Sequence, residues 1–206
     1  MKKILVTAFD PFGGEKINPA LSAVMLLPDE VHEVGIIKQE LPTIYGKSFD
    51  VLLPIIEREQ PDAVISVGQA GGRSNISVER IAINIDDATT PDNDGIVRTD
   101  QQIIENGPAA YFSTLPIKAI THNLHKAEIP ASVSNTAGTF VCNHIMYSVL
   151  HYAATKQPKM KVGFVHVPYL PVQTLTKPTT PSMSLENIVA GLKLIMQATV
   201  KSIAAQ

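Results

Sequence analysis

One cysteine, no tryptophan and few aromatic or charged side chains set the first limits on this chain of 206 residues. A single cysteine excludes an internal disulfide and fits a reducing compartment. With no Trp and only 5% aromatic residues, there is little from which to build a base-stacking surface for single-stranded nucleic acid. Neither sign of charge dominates: the formal net charge is -2, so neither nucleic acid nor an anionic membrane is expected as a partner. No apolar run approaches the roughly 20 residues of a membrane-spanning helix. Lys2-Lys3 before Ile4-Leu5-Val6 imitates the opening of a signal peptide, but the run is short and Asp10 interrupts it. A first β-strand is expected there instead. The chain is 45% apolar, with no low-complexity tract, repeat or linker, so one domain over residues 1–206 is expected.

What is present is an alternation of buried strands and amphipathic helices. Ile4 to Phe9 reads as a strand, and Asn18-Pro19 as an N-cap with proline at the first helical position. Val31 to Leu41 reads as a strand, and Thr43 to Gln60 as a helix that Pro54 must kink or divide. Ala63 to Val67 is a fully apolar strand, Val78 to Ile85 is extended, and Thr89 to Thr99 is a loop. Helical pattern resumes over Gly107 to Lys126, interrupted by Pro116. Ala131 to Ser134 and Lys161 to Val167 are strands, Tyr169 to Ser182 is irregular, and Ser184 caps a last helix. This order predicts an α/β fold: a three-layer α/β/α sandwich with a mostly parallel, mixed sheet and helices on both faces. Function in such folds gathers where loops leave the strand C-termini.

The cysteine, Cys142, stands where a small-residue loop from Asn135 to Phe140 meets a helical pattern carried by Ile145, Met146, Val149, Leu150 and Ala153. A helix N-terminus favours negative charge, so a thiol there is expected to titrate below its free value of about 8.5. Two residues at strand ends suit a cysteine hydrolase. His166, just before Pro168, can carry a proton between sulfur and a leaving amine, and Glu79 can orient its imidazole. Taken singly, each has a plainer reading. His166 is also a buried, hydrogen-bonded histidine beside a strand, Glu79 an ion-pair partner of Arg80 or Arg73, and Cys142 a packed thiol.

His122, His125, Cys142 and His144 lack the spacing of a zinc motif, so no metal is expected. Gly13-Gly14 and the Gly68, Gly71, Gly72 loop lack the phosphate-binding fingerprints and read as turns.

Four segments together resemble the pyroglutamyl-peptidase I family of cysteine peptidases. They are Val6 to Gly14 with Asn18-Pro19, Gly68 to Arg73 running through Glu79 to Asn84, Ser134 to Asn143, and His166 to Tyr169. The resemblance spans nearly the whole chain and implies that Cys142 is the nucleophile, His166 the acid/base and Glu79 its orienting partner. It also implies a sandwich fold, pyroglutamyl peptides as substrate, no cofactor, a cytoplasmic setting and a homotetramer. Family members commonly carry Arg-Ile before Pro-Asp-Asn, whereas this chain has Thr89-Thr90 before Pro91-Asp92-Asn93.

The expected reaction is attack by Cys142 on the carbonyl after an N-terminal pyroglutamyl residue, through a thioester acyl-enzyme. The substrate ring is a neutral lactam, which calls for apolar walls and a few hydrogen bonds. By the resemblance, Phe9, Phe12, Phe140 and Val141 form the walls. Gln69 and backbone groups near Asn18 are candidates for the hydrogen bonds. Two other readings stand at this point: a nucleoside phosphorylase-like transferase on a similar sandwich, and a catalytically dead module that binds pyroglutamyl peptides.

Overall fold

Each central strand shows one set of apolar residues to either side, which requires cover on both faces. In the computed structural model, which describes residues 2–205, that cover is helical. The strands are β1 (Lys3–Phe9), β2 (Glu30–Val31), β3 (Val34–Leu41), β4 (Ala63–Gln69), β5 (Ile76–Glu79), β6 (Ile81–Ile83), β7 (Asp86–Ala88), β8 (Arg98–Gln101), β9 (Ala110–Phe112), β10 (Ala131–Ser134) and β11 (Lys161–Val167). The helices are α1 (Pro19–Met25), α2 (Lys47–Glu59), α3 (Ile117–Lys126), α4 (Val141–Lys156) and α5 (Leu185–Ala204), with a 3-10 turn over Pro171–Thr174.

The main sheet runs β10-β5-β11-β4-β1-β3-β2. Its pairs are parallel except β11 with β5 and the edge pair β2 with β3, so the sheet is mixed and mostly parallel. Ile4, Val6, Ala8, Ile65 and Val67 point to one face, where Ile120 and Leu124 of α3 and Ile188, Leu192 and Ile195 of α5 cover them. Leu5, Phe9, Val64 and Phe164 point to the other, against Leu52 and Ile56 of α2 and Ile145, Val149 and Leu150 of α4. The period of two along each strand thus yields two cores, one per face, and the three-layer sandwich.

Several boundaries differ from the sequence expectation. The expected strand Val31 to Leu41 is a hairpin: His32 and Glu33 adopt φ of 47° and 62°, and β2 turns back onto β3. The expected extended run Val78 to Ile85 breaks at Arg80, and its second half leaves the main sheet to pair β6 with β9. That pairing also makes a strand of Ala110–Phe112, where a helix was expected from Gly107; Pro116 is the N-cap of α3. Pro54 does not divide α2, which runs unbroken from Lys47 to Glu59. The proline lies on the exposed side of that helix, opposite buried Leu52 and Ile56, where water can solvate the carbonyl that loses its amide partner.

Both expected helix caps form. Asn18 accepts a hydrogen bond from Ala20 N, and Ser184 accepts one from Asn187 N.

Candidate active site

The C-terminal ends of β1, β4 and β11 lie side by side because the three strands are parallel. His166 is in register with Gly68 on β4, so their side-chain directions match. Gly68 has no side chain, and the space is filled by Cys142: a Cβ built there would lie 3.0 Å from Cys142 Sγ and 2.8 Å from Phe164 Cζ. Phe164, two residues before His166, packs its ring 4.7 Å from the imidazole, centroid to centroid. Cys142 is the second residue of α4, which descends on this face of the sheet. The sulfur, the imidazole and the Phe164 ring therefore share one face around Gly68. Gly68 and Gly71, expected to serve turns, instead allow close approach; a Cβ at Gly71 would lie 2.3 Å from the Tyr169 ring.

Glu79 reaches the same spot from the other side of β11. Strand β5 runs antiparallel to β11, pairing Ser77 with His166, and Glu79 is fully buried. His166 Nδ1 hydrogen-bonds Glu79 Oε1 at 2.8 Å across 87 residues of sequence. Arg73 Nη1 donates to the same oxygen at 2.7 Å. His166 and Arg73, the partners that the two sequence readings of Glu79 call for, thus meet on one oxygen atom.

Burial opposes the charge on Glu79, yet the His166 contact, helped by Arg73, outweighs it and holds the carboxyl below its ordinary value. Burial lowers the proton affinity of His166, only partly offset by Glu79. With Nδ1–H given to a carboxylate, Nε2 carries the lone pair.

The expectation of an acidic thiol at Cys142 is corrected. Cys142 keeps some exposed surface but is walled by protein, and this desolvation pushes the thiol up to about 12. The Glu79 charge acts in the same direction, and Arg73 with the residue's own backbone N–H pulls only weakly against it. Desolvation exceeds the helix-terminus effect here. Both shifts favour the uncharged forms, thiol and imidazole, over a thiolate–imidazolium pair.

The expected wall residues divide. Phe12 and Phe140 are partly exposed and pack at 5.9 Å, with Tyr45 edge-on to Phe140 at 5.5 Å. Phe9 and Val141 are packed into the core, Val141 with no exposed surface. Asn18 spends its side chain on capping α1 and on Asp10 O. Gln69 follows Gly68 and so turns to the opposite face, where its Oε1 accepts from Gln173 Nε2 at 2.9 Å. Its side chain ties down the 169–183 segment and does not face the sulfur.

Sequence reasoning missed three supports of the site. Tyr45 was one, and its signal was an aromatic just ahead of a helical run. Asn143 was another. It is 1% exposed, and its amide grips the main chain of Ile83 and Ile85, accepting from Ile83 N and donating to both carbonyls. A polar residue beside Cys142 in an apolar helix was the available clue. The third is His144, whose Nδ1 contacts Asp86 Oδ2 at 2.8 Å while Nε2 accepts from Gly46 N at 3.1 Å. Arg98 Nη1 meets the same Asp86 oxygen at 2.7 Å and lies over the Tyr45 ring. His122 and His125 sit on α3, on the far face from His144 and Cys142, and among the described residues no group of three or more His, Cys, Asp or Glu is placed to hold a metal ion.

Fold and site together define a cysteine hydrolase built on an α/β/α sandwich. The sequence matches the pyroglutamyl peptidase family over residues 2–202, and the chain belongs to that family. It is 58% identical over 204 residues to a pyrrolidone-carboxylate peptidase of Treponema denticola, covering 97% of this chain and 94% of that protein. It is 55% identical to one of Alkaliphilus oremlandii, with 97% and 94% covered. Its structure resembles pyroglutamyl peptidase I of Bacillus amyloliquefaciens with a TM-score of 0.93 at 45% identity, over 96% of this chain and 94% of that one. It also resembles pyrrolidone carboxyl peptidase of Pyrococcus furiosus with a TM-score of 0.94 at 44% identity, over 98% and 99%. These relatives give no support to the phosphorylase or binding-only readings. Among the described residues no helix is long and apolar enough to cross a membrane.

Proposed function

We propose that this chain removes N-terminal pyroglutamate from peptides, with Cys142 as nucleophile, His166 as acid/base and Glu79 as the carboxylate that holds the imidazole. The observation that supports the assignment of roles is the placement of His166 between a carboxylate and a glycine. Its Nδ1 is bound to buried Glu79, and its neighbour in register, Gly68, leaves room for the Cys142 sulfur.

The resting protonation states set the order of events. As sulfur attacks the pyroglutamyl carbonyl, the thiol proton passes to His166 Nε2, so charge separation develops only with the new S–C bond. The imidazolium is stabilised by Glu79 and gives its proton to the leaving amine as the C–N bond breaks. Water, deprotonated by His166, then attacks the thioester carbonyl and releases pyroglutamate and the thiol. Phe140, the N-cap of α4, has no polar side chain, so the first backbone N–H groups of that helix are left for the oxyanion. Loss of one such donor typically costs about 10²–10³ in rate.

Phe12, Phe140 and Tyr45 supply apolar walls beside the helix start, suited to a neutral lactam. A free N-terminal glutamate or glutamine brings a charged amine to this apolar place and is rejected. Hydrogen bonds to the ring come from backbone groups near Gln69 and Asn18, since both side chains are engaged elsewhere. The chain acts as one domain, in the cytoplasm and as a homotetramer; the lack of a linker or composition shift supports the first reading and the four-segment resemblance the other two, and sedimentation of the purified protein tests the last.

The test of the function is release of a fluorogenic amine from a pyroglutamyl amide by the wild type and by Cys142→Ala. Activity in the first and none in the second is expected. An inactive wild type, folded and reduced, would overturn the substrate class. Equal activity in both would remove Cys142 from the chemistry.

A further inference from the structure

An imidazole N–H and a guanidinium converge on one oxygen of Glu79. His166 Nδ1 lies 2.8 Å from Oε1 and Arg73 Nη1 lies 2.7 Å from it, while Oε2 is buried with no partner. A fully buried carboxylate with a single imidazole partner is free to turn its two oxygens about the last side-chain bond. The guanidinium removes that freedom. Arg73 is itself anchored, because Nη2 donates to Thr136 O in the segment that leads into Cys142.

We propose that Arg73 is a positioning residue for this reaction: by sharing Glu79 Oε1 with His166 it fixes the carboxylate that orients the imidazole. The inference rests on the roles proposed above for Cys142, His166 and Glu79. Arg73 comes from the loop between β4 and β5, and its side chain is one-third exposed while its partner is not exposed at all.

The contact has an electrostatic consequence. The groups facing the imidazole are Glu79 from β5, Arg73 from the preceding loop and the Cys142 thiol from α4, with the apolar Phe164 ring from β11 itself and the Ser134 hydroxyl on β10 near Glu79. Glu79 favours the imidazolium, whereas burial and the Arg73 charge disfavour it. Arg73 thus keeps the carboxylate in place for geometry while cancelling part of the charge that would otherwise hold a proton on His166. The histidine stays a free base at neutral pH and becomes an acid only after it has taken the thiol proton.

The test is the pH dependence of kcat/KM for a pyroglutamyl amide in the wild type, Arg73→Met and Arg73→Lys, with Cys142→Ala as control. In Arg73→Met the midpoint of the acid limb moves to higher pH by about 0.5–1 unit, since loss of the nearby positive charge makes His166 easier to protonate. Its plateau kcat falls about tenfold with KM within about twofold of wild type, because the carboxylate and not the substrate has lost its hold. Arg73→Lys keeps the charge and returns the midpoint close to wild type. A uniform fall in activity with an unmoved midpoint, or an unchanged profile, would overturn the proposal. Activity surviving in Cys142→Ala would instead overturn the site assignment on which it rests.

Discussion

Gly68 makes room for Cys142: the sulfur lies 3.0 Å from where a Cβ on that residue would be. The rigid Phe164 ring closes the other side at 2.8 Å. Gly68→Ala therefore displaces sulfur or ring. It is expected to lower kcat/KM about 10²-fold and to cost about 1–3 kcal/mol of stability, the range for overpacking a filled site. Kinetics and thermal melting check this, and an alanine variant that matches the wild type in both would show that the sulfur is not seated there.

The neutral thiol makes a second expectation. Since Cys142 holds its proton up to about 12, the rate of alkylation by iodoacetamide should keep climbing by about tenfold per pH unit from pH 7 to 9. A plateau already reached at neutral pH would reveal a preformed thiolate–imidazolium pair and refute a proton transfer that waits for substrate.

Glu79→Gln keeps the shape of the side chain but removes its charge. Its amide can present a donor to His166 Nδ1 and so favour the wrong tautomer, and kcat is expected to fall about 10²–10⁴-fold, as in other triads that lose the carboxylate. Turnover within a few-fold of wild type would exclude an orienting role.

Acid should destabilise the fold through the same two residues. His166 and Glu79 both have lowered proton affinity in the folded state. The unfolded chain therefore binds protons first, and stability falls as pH drops below about 6.5 for the histidine and again below about 4.5 for the carboxylate. Melting temperature should be level between pH 7 and 8 and decline below 6.5. A melting curve that rises on acidification would contradict the sign.

Asn143→Ala removes the grip on Ile83 and Ile85 and leaves their part-buried main-chain groups without this partner. A loss of about 2–4 kcal/mol is expected, measured by urea titration. Pro54→Ala acts in the opposite sense. It restores a backbone donor inside a continuous helix on its exposed side, and a gain of about 1–2 kcal/mol is expected after allowing for the looser unfolded chain.

Period and caps were the most legible features of the sequence. Lys161–Val167 was bounded as observed, and the caps at Asn18 and Ser184 were recognised, because local hydrogen bonding and apolar alternation decide them. Ala110–Phe112 was misread as helical because its extended form depends on Ile81–Ile83, a partner distant in sequence that supplies the ladder. Arg80 gave no local sign that the chain leaves one sheet for another there. At the site, residue type and position single out Glu79, Cys142 and His166 as candidates, but not the sharing of Glu79 Oε1 with Arg73, which is a matter of geometry. The thiol was misjudged for a related reason. A helix terminus can be read along the chain, whereas burial comes from residues the chain brings in from elsewhere.

Strand β11 is the last strand in the chain, yet it lies between β5 and β4 near the middle of the sheet. Without it the sheet order would part into two sets, β10-β5 on one side and β4-β1-β3-β2 on the other, with no strand joining them. Insertion closes the sheet and delivers His166 to both Glu79 and Gly68 in one event. Long-range pairing of this kind is the slow part of folding. Recovery of catalysis after dilution from denaturant is thus expected to report sheet closure, since a chain without β11 in place would hold the thiol apart from its histidine.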